Sequence, residues 1–176
     1  AGYCCNDFDN PTAARYSAVR LNNDGSVDSS FGNNGTVVVP NFGGATNDQC
    51  LALKLQSDGK AVLAGFSNTG IANRYSAVRL DSDGLVDATF GQNGHVVLPA
   101  LSEGIDDQAY GLQIQPDGSL ILGGYSRNAG TVPAFTAARL LASGALDLTF
   151  GPLAQGFVRM PTFVPNGSIA NTLLLQ

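Results

Sequence analysis

Arg74-Tyr75-Ser76-Ala77-Val78-Arg79-Leu80 also stands, residue for residue, at Arg15 to Leu21, 59 positions earlier. A looser copy, Phe135-Thr136-Ala137-Ala138-Arg139-Leu140, follows 60 positions later. The segments downstream move in step: Gly25 to Gly32, Gly84 to Gly91 and Gly144 to Gly151 each carry Asp three residues before Phe-Gly. Upstream, Leu51 to Lys60 matches Tyr110 to Ser119 at the same shift, and Asp48-Gln49 matches Asp107-Gln108. Self-similarity at a fixed period is the mark of a repeat architecture, so the chain reads as three copies of one unit.

Within a unit the apolar residues alternate. Leu51, Leu53 and Leu55 are separated by Ala52 and Lys54, the period of a strand with one face buried. Ser57-Asp58-Gly59 and Pro116-Asp117-Gly118 are hairpin turns, in which Asp bonds local backbone and Gly takes a positive φ. The returning strands are Lys60 to Phe66 and Ser119 to Tyr125. A third strand, Arg74 to Leu80, runs through Asp81-Ser82-Asp83-Gly84 into a fourth segment ending at His95 to Pro99. No helical period occurs, and the preference for Asp over Glu suits turns and strands.

Four antiparallel strands repeated in tandem, none able to cover its own faces, predict an all-β chain folded as a β-propeller. The repeats run over about 1–47 (partial), 48–106 and 107–169, with 170–176 starting another, all within one propeller segment, 1–176. At 59 residues the unit is longer than the roughly 40 to 50 of common propeller repeats. The turn Leu55 to Lys60, the Ala64-Gly65-Phe66 and Gly123-Gly124-Tyr125 triplets, Ala77-Val78-Arg79-Leu80 and Val86-Asp87 through Phe90-Gly91 together resemble the bacterial delta-60 repeat, a propeller-forming domain of unknown function (DUF5122). The resemblance covers nearly the whole chain. It implies a propeller in secreted or envelope-associated bacterial proteins and implies no defined activity.

Thirteen Asp and one Glu face seven Arg and two Lys, a net charge of −5, which argues against a nucleic-acid binder that tracks phosphates with a basic face. No run of about 18 apolar residues exists, so no transmembrane segment is expected. The start at Ala1-Gly2-Tyr3 has neither Met nor a signal peptide and reads as cut or processed. Ala1 to Tyr3 reads as the tail of a second strand and Leu173 to Gln176 as a first strand, so both ends cut a hairpin. Three units fall short of the about four to eight blades of a closed ring. The remaining blades are expected either from a longer chain, the favoured reading, or from another subunit.

The recurring acidic turns invite a calcium reading. Asp81, Asp83 and Asp87, and Asp24 with Asp28, have the carboxylate spacing of calcium loops. The third copy, Ala142 to Asp147, keeps one carboxylate, and Asp-Gly turns need no metal, so no cofactor is the expectation and calcium the lesser alternative. Asp28, Asp87 and Asp147 with Arg20, Arg79 and Arg139 recur once per unit and read as strand-end hydrogen bonds or inter-blade ion pairs. A catalytic constellation should instead break the repeat, and no catalytic residue is assigned. His95, the only histidine, replaces Thr36 and aligns near Phe157; it reads as a surface strand residue.

Cys4, Cys5 and Cys50 fit no zinc pattern. Cys4 and Cys5 follow a second strand and Cys50 precedes a first strand one blade on, so Cys4 or Cys5 with Cys50 is the candidate disulfide for an oxidising compartment, with reduced thiols the alternative. The segments that vary between copies, Tyr3 to Ala14, Ser67 to Asn73, Pro99 to Asp106 and Ser126 to Pro133, are the candidate binding loops. Asp7, Asp9, Glu103, Asp106 and Asp107 are their most distinctive residues. The function expected is a non-catalytic scaffold, secreted, periplasmic or on a bacterial surface, that binds an unidentified protein or glycan. The alternatives are a carbohydrate-binding propeller stacking sugars on Tyr16, Tyr75 or Tyr110, and a hydrolase or lyase with a central-channel site.

Overall fold

The computed structural model describes residues 2–5, 14–42, 47–101 and 103–160. Those residues contain strands and turns and no helix. β1 (Gly2–Cys5), β2 (Ser17–Arg20) and β3 (Thr36–Val38) form a three-stranded antiparallel sheet. β4 (Asp48–Leu55), β5 (Ala61–Asn68), β6 (Asn73–Leu80) and β7 (His95–Val97) make the second blade, each strand pairing with the next. β8 (Gly104–Ile114), β9 (Leu120–Asn128), β10 (Ala134–Leu140) and β11 (Phe157–Arg159) make the third. One parallel bridge, Asn73 to Asp106, joins the second blade to the third. This is the all-β propeller architecture that the repeat predicts, present as an open run of blades.

The blades stack through their faces. In β5, Val62 and Ala64 enter a core shared with the third blade, while the alternating Ala61 and Leu63 enter a core shared with the first. β6 does the same, with Tyr75 and Ala77 on one side and Val78 and Leu80 on the other. A middle strand between two neighbours has no solvent face, and all but the last residue of β5 are buried. β4 runs beside β8, so the first strands of successive blades converge, and the fourth strands lie at the opposite edges.

The Gly-containing triplets have a steric cause. Each first strand carries a bulge, at Cys50/Ala52 and at Ala109/Gly111. Opposite it, a Cβ on Gly65 or Gly124 would run into the carbonyl of Gln49 or Gln108.

Several strands extend into segments expected to be loops. β5 reaches Asn68 and β9 reaches Asn128. β8 begins at Gly104, ahead of the repeat boundary at 107, and takes Asp106 and Asp107 into a strand. Consecutive carboxylates resemble a solvated loop in sequence, but here both are held inside the sheet end. Asp106 bridges Asn73 across the blades and Asp107 stands opposite Ser126. Cys4 and Cys5 likewise lie within β1 rather than after a strand. The expected strand at Leu173 to Gln176 lies outside the described residues.

Candidate functional site

The recurring charges form one device, built three times. Arg20, Arg79 and Arg139 each lay their Nε on the Asp eight residues on, Asp28, Asp87 and Asp147, at 2.8, 2.9 and 2.6 Å. The same Asp accepts bonds from the hydroxyl and amide of Ser30, Thr89 or Thr149. That hydroxyl is the main cause holding each carboxyl below the usual range, well below for Asp87, which Lys60 also meets at 2.9 Å. The guanidinium then lies over the ring of Phe31, Phe90 or Phe150, 4.7 to 5.0 Å from its centre. The ion pairs are within a blade. Their reach into the next blade is through another nitrogen: Nη1 of Arg79 donates to the Ala142 carbonyl at 2.8 Å, and Nη1 of Arg20 to that of Ser82.

Of the candidate calcium ligands, Asp28 and Asp87 belong to that device, and the carboxylates of Asp24 and Asp81 make local bonds. Asp24 Oδ1 accepts from the amide and hydroxyl of Ser26, and Asp81 Oδ1 from the amides of Asp83 and Leu85. The Asp83 carbonyl takes the Gly32 amide at 2.7 Å. The Asp24 and Asp81 bonds are those of turns that fix their own backbone. Among the described residues, no three His, Cys, Asp or Glu side chains gather as a metal group would require.

Where the joint between the second and third blades reaches the surface, a cleft of about 580 Å³ opens. One wall is the segment His95 to Pro99, the other is the turn Ser143 to Leu146, and Phe42 closes one end. The bond from the Gly91 amide to the Ser143 carbonyl, 2.7 Å, ties the two walls together. His95 is half-buried, its ring centre 4.7 Å from that of Phe42, which in turn lies 5.3 Å from Tyr16. The lone histidine is thus part of an aromatic row across two blades, a placement that the pattern of its own strand did not reveal. His95 has Thr36 and Phe157 as its counterparts, and Phe42 has Leu101, so the cleft is walled by residues that break the repeat.

A second non-repeated cluster surrounds Asp106. Its Oδ1 accepts from Asn73 at 2.8 Å and Gln108 at 2.9 Å, and its Oδ2 from the Tyr125 hydroxyl at 2.9 Å and Arg127 at 3.1 Å. Burial by itself would raise this carboxyl, but the bonds from Asn73, Gln108 and Tyr125 outweigh it and hold it below the usual range. The neighbouring Asp107 is fully buried, and burial pushes its carboxyl up; it caps the Leu101 amide and meets Arg74 at 3.5 Å. Tyr110 stacks on Tyr125 with ring centres 6.0 Å apart. Glu103 is exposed in a turn, and Asp7 and Asp9 lie outside the described residues.

Tyr16 and Tyr75, read as sugar-stacking faces, have no exposed surface. Their hydroxyls cross the joints instead, Tyr16 to the Ser76 carbonyl at 3.0 Å and Tyr75 to that of Thr136 at 2.9 Å. An aromatic facing outward from one sheet is covered by the next. Cys50 is disulfide-bonded and buried; Cys4 and Cys5 are the other cysteines, and β1, which carries them, runs beside β4.

No curated protein is similar to the chain. A family match covers residues 12–31, 56–90 and 115–150, which take in the turns, the Arg-containing third strands of the second and third blades and all three Asp-to-Phe segments. The repeated unit, its blade and its joint all agree with that match, and the chain belongs to the beta-propeller family described as domain of unknown function DUF5122.

Proposed function

We propose that the protein is a non-catalytic binding scaffold, secreted or attached to the envelope of a bacterium, that takes a protein or glycan partner in the cleft beside His95. The observation that carries this reading is the pairing of His95 with Phe42 at a cleft of about 580 Å³, where both residues depart from the repeat. The repeated charged residues are engaged with one another inside each blade, and Arg20 and Arg79 also reach the next blade, which leaves the departures from the repeat as the source of specificity. The disulfide at Cys50 supports an oxidising compartment. The reading needs no cofactor.

Because His95 is the only histidine, its imidazole gives a single NMR signal that reports on the cleft alone. Titrating panels of glycans and of peptides should move that signal to saturation for a true partner, and His95→Ala together with Phe42→Ala should abolish the binding. Partners that bind with the signal unmoved would place recognition elsewhere. Turnover of a bound glycan would contradict the non-catalytic reading. A second reading, glycan binding on the half-buried Tyr110 beside Gln108, is favoured by its stacking on Tyr125, and Tyr110→Ala tests it.

A further inference from the structure

β7 is the outermost strand of the middle blade, whose neighbours on both sides are present, so its free edge is a property of the blade itself. The ladder to β6 fixes which of its main-chain groups face out. The Gly94 carbonyl accepts from the Arg79 amide and the Leu98 amide donates to the Tyr75 carbonyl, so Gly94, Val96 and Leu98 turn their peptide groups inward while His95 and Val97 turn theirs outward. His95 gives both of its groups to Gln92, in the turn before the strand. Pro99, the next outward position, has no amide hydrogen. That leaves Val97, whose amide and carbonyl have no partner among the described residues.

The cleft wraps this edge on both sides. His95 and Val97 lie on the face towards Phe42, whereas Val96 and Leu98 lie on the other, with Leu146, against the core shared with the third blade. A ligand that bonds to the Val97 main chain and sends successive groups to one wall and then the other has the two-residue period of an extended polypeptide. A sugar ring has no such period. The place of Val97 is taken in β11 by Arg159, a charge of the kind that keeps a sheet edge unpaired. In β3 it is taken by Val38, but there Thr36 stands where β7 has His95.

We propose that the cleft takes an extended peptide segment of another protein, added as a strand along the edge of β7. This names the partner class for the binding role of the His95 cleft and rests on that role. The peptide residue opposite Val97 accepts the Val97 amide on its carbonyl and donates its own amide to the Val97 carbonyl. Its side chain lies on the same face as Val97, beside His95 and Phe42, where an aromatic or branched apolar group fits. The residues before and after it turn towards Val96, Leu98 and Leu146 and are small and apolar. Because His95 is closed and Pro99 lacks a donor, one residue pair anchors the added strand, and selection falls to the side chains.

The test titrates the full chain, disulfide intact, with a pool of acetylated and amidated pentapeptides that carry Phe, Tyr, Leu or Val at the centre and Val or Ala on either side. The expected result is movement of the His95 imidazole signal to saturation, with slowed hydrogen exchange at the Val97 amide. Methylating the central amide nitrogen of the tightest-binding peptide removes a donor and no side chain, and should weaken binding about tenfold. Val97→Pro removes the outward amide and touches no bond of the β6 ladder, so near-ultraviolet circular dichroism should stay unchanged while binding falls at least as far. A peptide that moves the His95 signal and is indifferent to both changes overturns strand addition and leaves the cleft as a binding site. So does a cleft saturated by a glycan and by no peptide. A His95 signal that neither peptides nor glycans move overturns both readings.

Discussion

Gly84 shows how much one side-chain position can depend on a neighbouring blade. Its φ is +86°, and its missing Cβ leaves room for Phe31 and Gly32 of the blade before. Gly70 has a nearly equal φ of +83° with open space around it. Gly70→Ala should therefore lose only the strain of a left-handed residue, about 1–2 kcal/mol. Gly84→Ala should lose about 3 kcal/mol or more, because the joint must also open. Urea unfolding midpoints of the two variants measure the difference, and equal losses would mean that the joint packing is not felt.

Asp87 carries a pH dependence at the same scale. Bonds from Thr89 first, then Lys60 and Arg79, hold its carboxyl well below the ordinary 3.8, so the folded chain binds its proton less readily than the unfolded one. Its contribution to stability is complete above that ordinary value and is lost as pH falls towards the folded value. Stability measured against pH should show a wide gap between wild type and Asp87→Asn at neutral pH, closing below about pH 4. A gap that persists unchanged into acid would assign the Asp87 effect to shape and not to charge.

Among elements, β8 is the strand whose reading from sequence and whose place in the fold differ most. The hairpins were legible because Asp-Gly turns and alternating Leu are local signals, and β4 to β6 lie close to where those signals put them. The first residues of β8 were not legible. Asp106 and Asp107 look solvated until Arg127 is brought opposite by the hairpin and Asn73 and Arg74 by the second blade, and the latter proximity exists only once blades stack. The burial of Tyr16 and Tyr75 was hidden for the same reason, as was the tilted contact of His95 with Phe42. Asp106→Ala removes one acceptor from four donors and should cost about 2–3 kcal/mol, with faster hydrogen exchange at the start of β8. Asn73→Ala breaks only one of those bonds and should cost about 1 kcal/mol. Equal effects from the two would remove Asp106 from the centre of the cluster.

At the scale of the whole molecule, a covalent bond reinforces noncovalent joints. Reducing the disulfide at Cys50, or replacing it by Cys50→Ser, should lower stability by about 2–4 kcal/mol, seen as a fall in Tm with reductant that the serine variant no longer shows. An unchanged Tm would leave the joints as sufficient on their own.

Those joints have one further property. At the turns of the two internal joints each donor reaches a carbonyl or lies against a glycine, so at these points a blade reads the main chain of its neighbour. The two turns that present these carbonyls, Asp81-Ser82-Asp83-Gly84 and Leu141-Ala142-Ser143-Gly144, agree only in the glycine. Such a fit tolerates drift: a unit can be copied, reordered or exchanged with a diverged one while the seam still closes. Swapping the second blade for the third within the chain should then preserve folding, and the surfaces that differ between units remain free to vary without unfastening the whole.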